Sequence, residues 1–235
     1  MPISLEDFEK RIARLRADIV EQGRRVERIV ETAIECLFER DQTKADWVID
    51  RDSVIDRADV EIEQAAVDLL GAIARTAVEL PAKQLRLVLM IVKVNNELER
   101  SADLAGEIAE QVALFKTLPC QPSKRFRVMA NSVVGIVRDT ATCLERVDTQ
   151  IAQSVLANDD TMDRFEEAIL REMQQGVADG SVTVEFAFAT NIVANHLERI
   201  GDHCTNIAEQ IIYIATGQIV RHQKGQWSQP QEPQR

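Results

Sequence analysis

Aromatic residues make up only 4% of this 235-residue chain, a shortage that removes readings built on a cage of rings around a ligand. Cysteine is just as sparse. Cys36, Cys120, Cys143 and Cys204 stand far apart with no C-x-x-C pair, which excludes the common zinc and dithiol redox patterns and suits reduced, partly buried thiols. No apolar run approaches the ~18 residues of a membrane-spanning helix, the longest being Leu87 to Val92, so no direct membrane insertion is expected. No cluster of Lys and Arg offsets the formal net charge of −11, and nucleic acid is not an expected partner, because affinity for a phosphate backbone comes from cation contacts. The opening residues, Met1-Pro2-Ile3-Ser4-Leu5-Glu6-Asp7, have neither a basic start nor an apolar signal core, and the expected location is the cytoplasm. What is present is a composition 45% hydrophobic and 29% charged, enough to bury a core.

Proline is scarce too, and its positions are informative, since within a helix it removes a hydrogen bond and clashes with the preceding turn. Pro2, Pro81, Pro119, Pro122, Pro230 and Pro233 leave two long proline-free tracts, Ile3 to Leu80 and Ser123 to Gln229. Both are helical by pattern. Ile12, Leu15, Ile19, Val26, Val30, Ala33 and Leu37 recur at three and four, which places one apolar stripe on one helix face. Sustained apolar alternation is missing, so no strand is expected. Breaks near Asp41 to Lys44, at Pro81 and at Pro119 to Pro122 divide the first half into three helices. In the second half the breaks are expected near Ala157 or a little earlier and at Gly176 to Gly180, with a last helix running to about Gly217. Residues 221–235, rich in Gln, Pro and Gly, read as a disordered tail.

The two halves repeat one another. LERSADLAGEIAEQV from Leu98 to Val112 matches LERIGDHCTNIAEQI from Leu197 to Ile211 at eight of fifteen positions, at an offset of 99. Asn96 matches Asn195 at the same offset. DSVIDR from Asp52 matches DDTMDR from Asp159 at an offset of 107, as Cys36-Leu37 matches Cys143-Leu144 and Asp41 matches Asp148. The fold expected is all-α, with two tandem, duplicated antiparallel three-helix bundles, residues 1–117 and 118–220. The second copy is eight residues shorter, a loss assigned to the connection between its second and third helices. In the sixth helix Leu197, Ile200, Cys204, Ile207, Ile211 and Ile214 form the core stripe.

Each copy carries two acid pairs at spacing i, i+4: Asp52 with Asp56 and Glu99 with Asp103, then Asp159 with Asp163 and Glu198 with Asp202. Such a pair stands on one helix face and disfavours an isolated helix by roughly 0.2–0.5 kcal/mol. With 39 acids in the chain, roughly six such pairs arise by chance on solvated faces, so one pair means little. Four pairs at matched positions mean more. If the second and third helices bring their pairs together, four carboxylates converge and call for a cation. Oxygen-only sites suit Fe, Mn, Mg or Ca, while zinc prefers more nitrogen or sulfur. Asn195, Glu198, Asp202 and Asn206 line up as one polar row beside the apolar stripe. His196 and His203 correspond to Glu97 and Leu104, so histidine is not a shared ligand and a half-buried or surface role is expected. Arg100 and Arg199 are expected to pair on the helix surface or to support a neighbouring carboxylate.

These residues resemble the PhoU family. The resemblance rests on the duplicated E-x-x-x-D motif, the LERIGD-H-x-x-N-I-A-E run ending at Glu209 and the D-x-x-I-D run of Asp52 to Asp56. Pro81-Ala82-Lys83-Gln84-Leu85-Arg86 is similar to the opening of the family's third helix, with Gln84 where an aspartate is usual. The resemblance spans Leu5 to Gly217. It implies paired three-helix bundles, a homodimer, multinuclear iron or other metal clusters on the eight acids, and no enzymatic activity. It also implies negative regulation of phosphate uptake and of the phosphate-starvation response through contact with a phosphate ABC transporter and a sensor histidine kinase. Departures are Ser101-Ala102 against Ile200-Gly201, and Glu107 against Asn206. Competing readings are an accessory protein of a simple phosphate permease, a helical adaptor whose acids only confer solubility, and a di-metal bundle enzyme. The last would need Glu-x-x-His on paired helices, and no acid stands three residues before a histidine here.

Overall fold

The computed structural model describes residues 3–75 and 80–220, so the expected tail at 221–235 lies outside the described residues. Eight helices are present among the described residues and no strand. They are α1 (Leu5–Glu39), α2 (Gln42–Ala74), α3 (Ala82–Glu110), α4 (Val112–Thr117), α5 (Lys124–Arg146), α6 (Thr149–Leu156), α7 (Asp159–Ala178) and α8 (Val184–Thr216). The chain is thus all-α, with α1, α2 and α3 forming one antiparallel three-helix unit and α5, α6–α7 and α8 the second.

Local chemistry sets the reversals. Arg40 adopts a left-handed φ of 56° and donates its N–H to Cys36, after which the Asp41 carboxylate caps α2 by accepting from the Thr43 and Lys44 amides. Val147 repeats this at φ 54°, donating to Cys143, and Asp148 caps α6 by accepting from Gln150 and Ile151. The matched Cys-Leu and Asp positions are therefore the two ends of one repeated turn. This corrects the expected position of the second-half break: the chain first reverses at Val147–Asp148. Ala157 and Asn158 mark a further interruption, within the counterpart of α2. There the Asn158 side chain donates to the Ser154 carbonyl at 2.8 Å, and the Asn158 and Thr161 amides bond three residues back instead of four. Six expected helices become eight because of this interruption and because α4 follows α3 as a short separate turn. The eight-residue deficit is also redistributed. Part lies in the shorter α6–α7, part in the connection and part in the start of α8.

The apolar stripes meet as expected, with Ile12, Leu15, Ile19, Val26, Val30, Ala33 and Leu37 of α1 and Leu197, Ile200, Cys204, Ile207, Ile211 and Ile214 of α8 all buried. The two units share one core. Helices α1, α3, α5 and α8 form its centre, with α3 against α8 and α1 against α5, and α2 and α7 flank it. Two aromatic pairs sit at this junction: Phe115 packs on Phe186 at 5.2 Å and Phe38 on Phe126 at 5.7 Å between ring centres. Burial pushes the Cys36, Cys143 and Cys204 thiols up to about 12, so these cysteines are unreactive packing groups.

Candidate functional site

In the first unit, buried Ile55 lies between Asp52 and Asp56 on α2 and anchors that turn in the core. Met162 takes the same place between Asp159 and Asp163 on α7. An added Cβ at Gly201 would lie 3.3 Å from Met162 Cγ, so the glycine that replaces Ala102 lets the longer side chain approach α8. These apolar anchors bring the flanking carboxylates onto the acids of the third helix.

Asp52, Asp56 and Asp103 each place a carboxylate oxygen within 4.8 Å of the others. Burial raises the Asp52 pKa, and the Asp56 charge adds to it. Asp103, hydrogen-bonded to Asp52, is pushed up to about 6 by burial and by Glu99, Asp52 and Asp56. Glu99 is raised by burial and by the charges of Asp59, Asp56 and Asp52, so all four expected acids share one field. In the second unit no three carboxylates approach that closely among the described residues, but the equivalent acids still act on one another. Glu198 is pushed up to about 7 by burial and then by Asp202, Glu166 and Asp163. Asp202 is raised by burial and by Asp159 and Asp163, and Asp159 by burial and by Asp163. One difference is that Asp159 opens α7, where the helix dipole favours an anion, and accepts from Thr205 at 3.4 Å. Asp52 lies well inside α2.

A fifth acid joins each nest. Asp59, raised by burial and by Glu63 and Asp56, and Glu166 stand seven residues beyond Asp52 and Asp159, at the same 107-residue offset. That offset was the signal for finding them. Asn95 donates to the Asp59 carboxylate at 2.6 Å and Asn195 to the Glu166 carboxylate at 3.1 Å.

Not every expected neighbour joins the site. The row of Asn195, Glu198, Asp202 and Asn206 splits, because Asn206 turns away and donates to Glu97 on α3 at 3.1 Å. His203 bonds the same carboxylate at 2.7 Å, and His196 meets Glu107 at 3.1 Å, so both histidines tie α8 to α3. Burial alone would raise the Glu97 pKa, but the bonds from His203 and Asn206 outweigh it and leave the group lowered. Spacing on one helix could not reveal these contacts, which need the partner helix. Arg100 and Arg199 close no ion pair among the described residues, contrary to expectation, and act at range, Arg100 on Glu99 and Glu97 and Arg199 on Glu198 and His196.

The carboxylates fit a hard cation. Two metal–oxygen bonds of about 2.0–2.6 Å span an oxygen separation of this size. Asp52 Oδ1 is buried and has no hydrogen-bond partner, an uncommon state for a carboxylate oxygen unless something else satisfies it.

Fold and site together define an all-α protein of two repeated three-helix units, each with a nest of five acids between its second and third helices. The PhoU domain family matches residues 19–112 and 126–211, and the chain belongs to this family. The phosphate-specific transport system accessory protein PhoU homolog 1 of Thermotoga maritima is 32% identical over 216 residues, covering 91% of each chain. The phosphate-specific transport system accessory protein PhoU of Escherichia coli is 28% identical over 219 residues, covering 93% of this chain and 89% of its own. The crystal structure of PhoU from Pseudomonas aeruginosa superimposes with a TM-score of 0.83 at 28% identity, over 90% of this chain and all of that one. That of the phosphate transport system regulatory protein PhoU from Streptococcus pneumoniae superimposes at 0.81 and 22% identity, a likeness of fold.

Proposed function

We propose that this protein is a metal-binding accessory regulator of phosphate transport, which restrains phosphate uptake and the phosphate-starvation response by linking a phosphate ABC transporter to a sensor histidine kinase. The observation that carries the reading is the cluster of Asp52, Asp56 and Asp103, with Glu99 in its field and Asp159, Asp163, Glu198 and Asp202 coupled in the same way in the second unit, beneath a family match spanning both units. Relatives named as accessory proteins of phosphate-specific transport supply the process.

The eight acids hold the cations, with iron in multinuclear clusters as the first choice and Mn, Mg, Ca or Zn as alternatives. A bound cation would neutralise the nest and pull the flanking helices onto α3 and α8. Asp52 and Asp103 are the inner ligands of the first nest, and Glu198 and Asp202 of the second. No helix among the described residues is long and apolar enough to cross a membrane. On this reading regulation runs through protein contacts, with the protein as a cytoplasmic homodimer. Catalysis is not part of the proposal.

The test is metal analysis of protein purified without chelator, alongside a phosphate-starvation reporter in a deletion strain. Several metal ions per chain, lost in Asp52→Asn and Asp202→Asn variants of unchanged helicity, together with a derepressed reporter in phosphate-rich medium, are expected. Less than one metal per chain, with no change in melting temperature on adding iron or manganese, would refute the metal assignment. An unchanged reporter would refute the regulatory one.

A further inference from the structure

The outer groove between α1 and α2 of the first unit holds a cavity of about 270 Å³. Arg25, Arg28 and Arg51 line it together with Trp47 and Val54, over a floor of Ile29 and Ile55. Arg25 is neutralised by Glu21 one turn away. Arg28 and Arg51 close no ion pair with any carboxylate among the described residues, and Arg51 lies over the Trp47 ring at 5.2 Å. Two positive charges are therefore uncompensated. Trp47 and Val54 are exposed at 37% and 38%, which sets an apolar wall beside those charges.

The duplication supplies an internal control. At the 107-residue offset the floor is kept as Ile136 and Met162, both buried, whereas Arg25, Arg28, Trp47, Arg51 and Val54 become Ser132, Gly135, Ser154, Asn158 and Thr161. Packing of the three-helix unit thus requires the floor but none of the cationic or aromatic lining. Long cationic side chains gathered at one cavity of a chain of net charge −11, and dispensable for the fold, indicate a ligand of opposite charge.

We infer that this groove binds a phosphomonoester dianion, its phosphoryl group held by Arg28 and Arg51 and its apolar body resting against Trp47 and Val54. The charge count matches, since a phosphate ester is close to doubly ionised above its second pKa of about 6. Guanidinium forks suit phosphoryl oxygens because they offer paired N–H donors in one plane. The site faces away from the α2–α3 acid nest and does not depend on the metal reading.

The experiment uses the full chain carrying Trp227→Phe, so that Trp47 is the sole tryptophan, treated with chelator and titrated with phenyl phosphate, inorganic phosphate and phenyl sulfate at matched ionic strength. Phenyl phosphate should quench Trp47 fluorescence saturably. Phenyl sulfate, with the same body and one charge fewer, should bind at least about tenfold more weakly. Arg28→Gln and Arg51→Gln should each weaken phenyl phosphate at least about tenfold, while Arg171→Gln on exposed α7 should not. Saturable binding of inorganic phosphate at comparable strength would place the recognition in the dianion; weaker binding of it would add the apolar wall. A linear response to every compound, equal affinity for phenyl sulfate, or affinity unchanged in both arginine variants with native circular dichroism would overturn the inference.

Discussion

Glu198→Gln should stabilise the metal-free protein at pH 8.5 and leave it unchanged near pH 4. Burial and the charges of Asp202, Glu166 and Asp163 push Glu198 from 4.5 up to about 7. The native state therefore holds this proton more tightly than the unfolded chain does. Its stabilising effect is complete below the unfolded pKa near 4.5 and is lost as the pH climbs through about 7. At full strength a displacement of that size corresponds to about 3 kcal/mol. The carboxyl is only half-buried, and solvent screening reduces the figure to roughly 1–2 kcal/mol. Glutamine keeps a donor for the bond that Glu198 makes to Asp202 while removing the charge. In a chain of this size 1 kcal/mol moves the melting temperature by about 2–4 °C, so the expected gain is roughly 2–8 °C at pH 8.5. Thermal scans of chelator-treated wild type and variant across this pH range provide the measurement. A gain that is the same at both pH values, or a loss at pH 8.5, would refute the argument that repulsion within the nest shifts this group.

Cation binding should weaken as the pH falls through about 7 and then about 6, because Glu198 and Asp103 must release their protons to serve as ligands; calorimetric titration with Mn²⁺ at pH 5.5 and 8 checks the direction. Asp41→Ala and Asp148→Ala remove equivalent helix caps, and each should lower stability by about 1 kcal/mol, read as a shift in the urea midpoint without a change in slope.

Much of the fold was legible because its determinants are local. Three-and-four spacing of apolar residues marks a buried helix face whatever the partner, which is why the stripes from Ile12 to Leu37 and from Leu197 to Ile214 lie in the core. The break at Val147–Asp148 was misplaced because valine is a poor signal for a left-handed residue, although its match to Arg40–Asp41 was there to be used. The interruption at Ala157–Asn158 depends on one asparagine competing with the helix for a backbone carbonyl. Within the acid nests, i, i+4 spacing revealed the four pairs, whereas Asp59 and Glu166 lie outside that spacing, are marked in the sequence by the 107-residue offset alone, and meet the other acids through the packing of α3 and α8.

By itself, the sequence determined that this protein is a duplicated set of helices bearing four matched acid pairs, since periodicity, caps and repeats are properties of neighbours along the chain. Only the tertiary structure decided which charges meet. Asp202 and Asn206 sit one turn apart on α8, yet the first faces the acids of α7 while the second bonds Glu97 across the seam between the units. A helix turns about 100° per residue, so a small angular offset assigns side chains one turn apart to different neighbours, and the packing of α3, α7 and α8 makes that assignment. The same packing set His203 in the seam, while the packing of α1 on α2 left Arg28 and Arg51 facing outward without an ion-pair partner among the described residues.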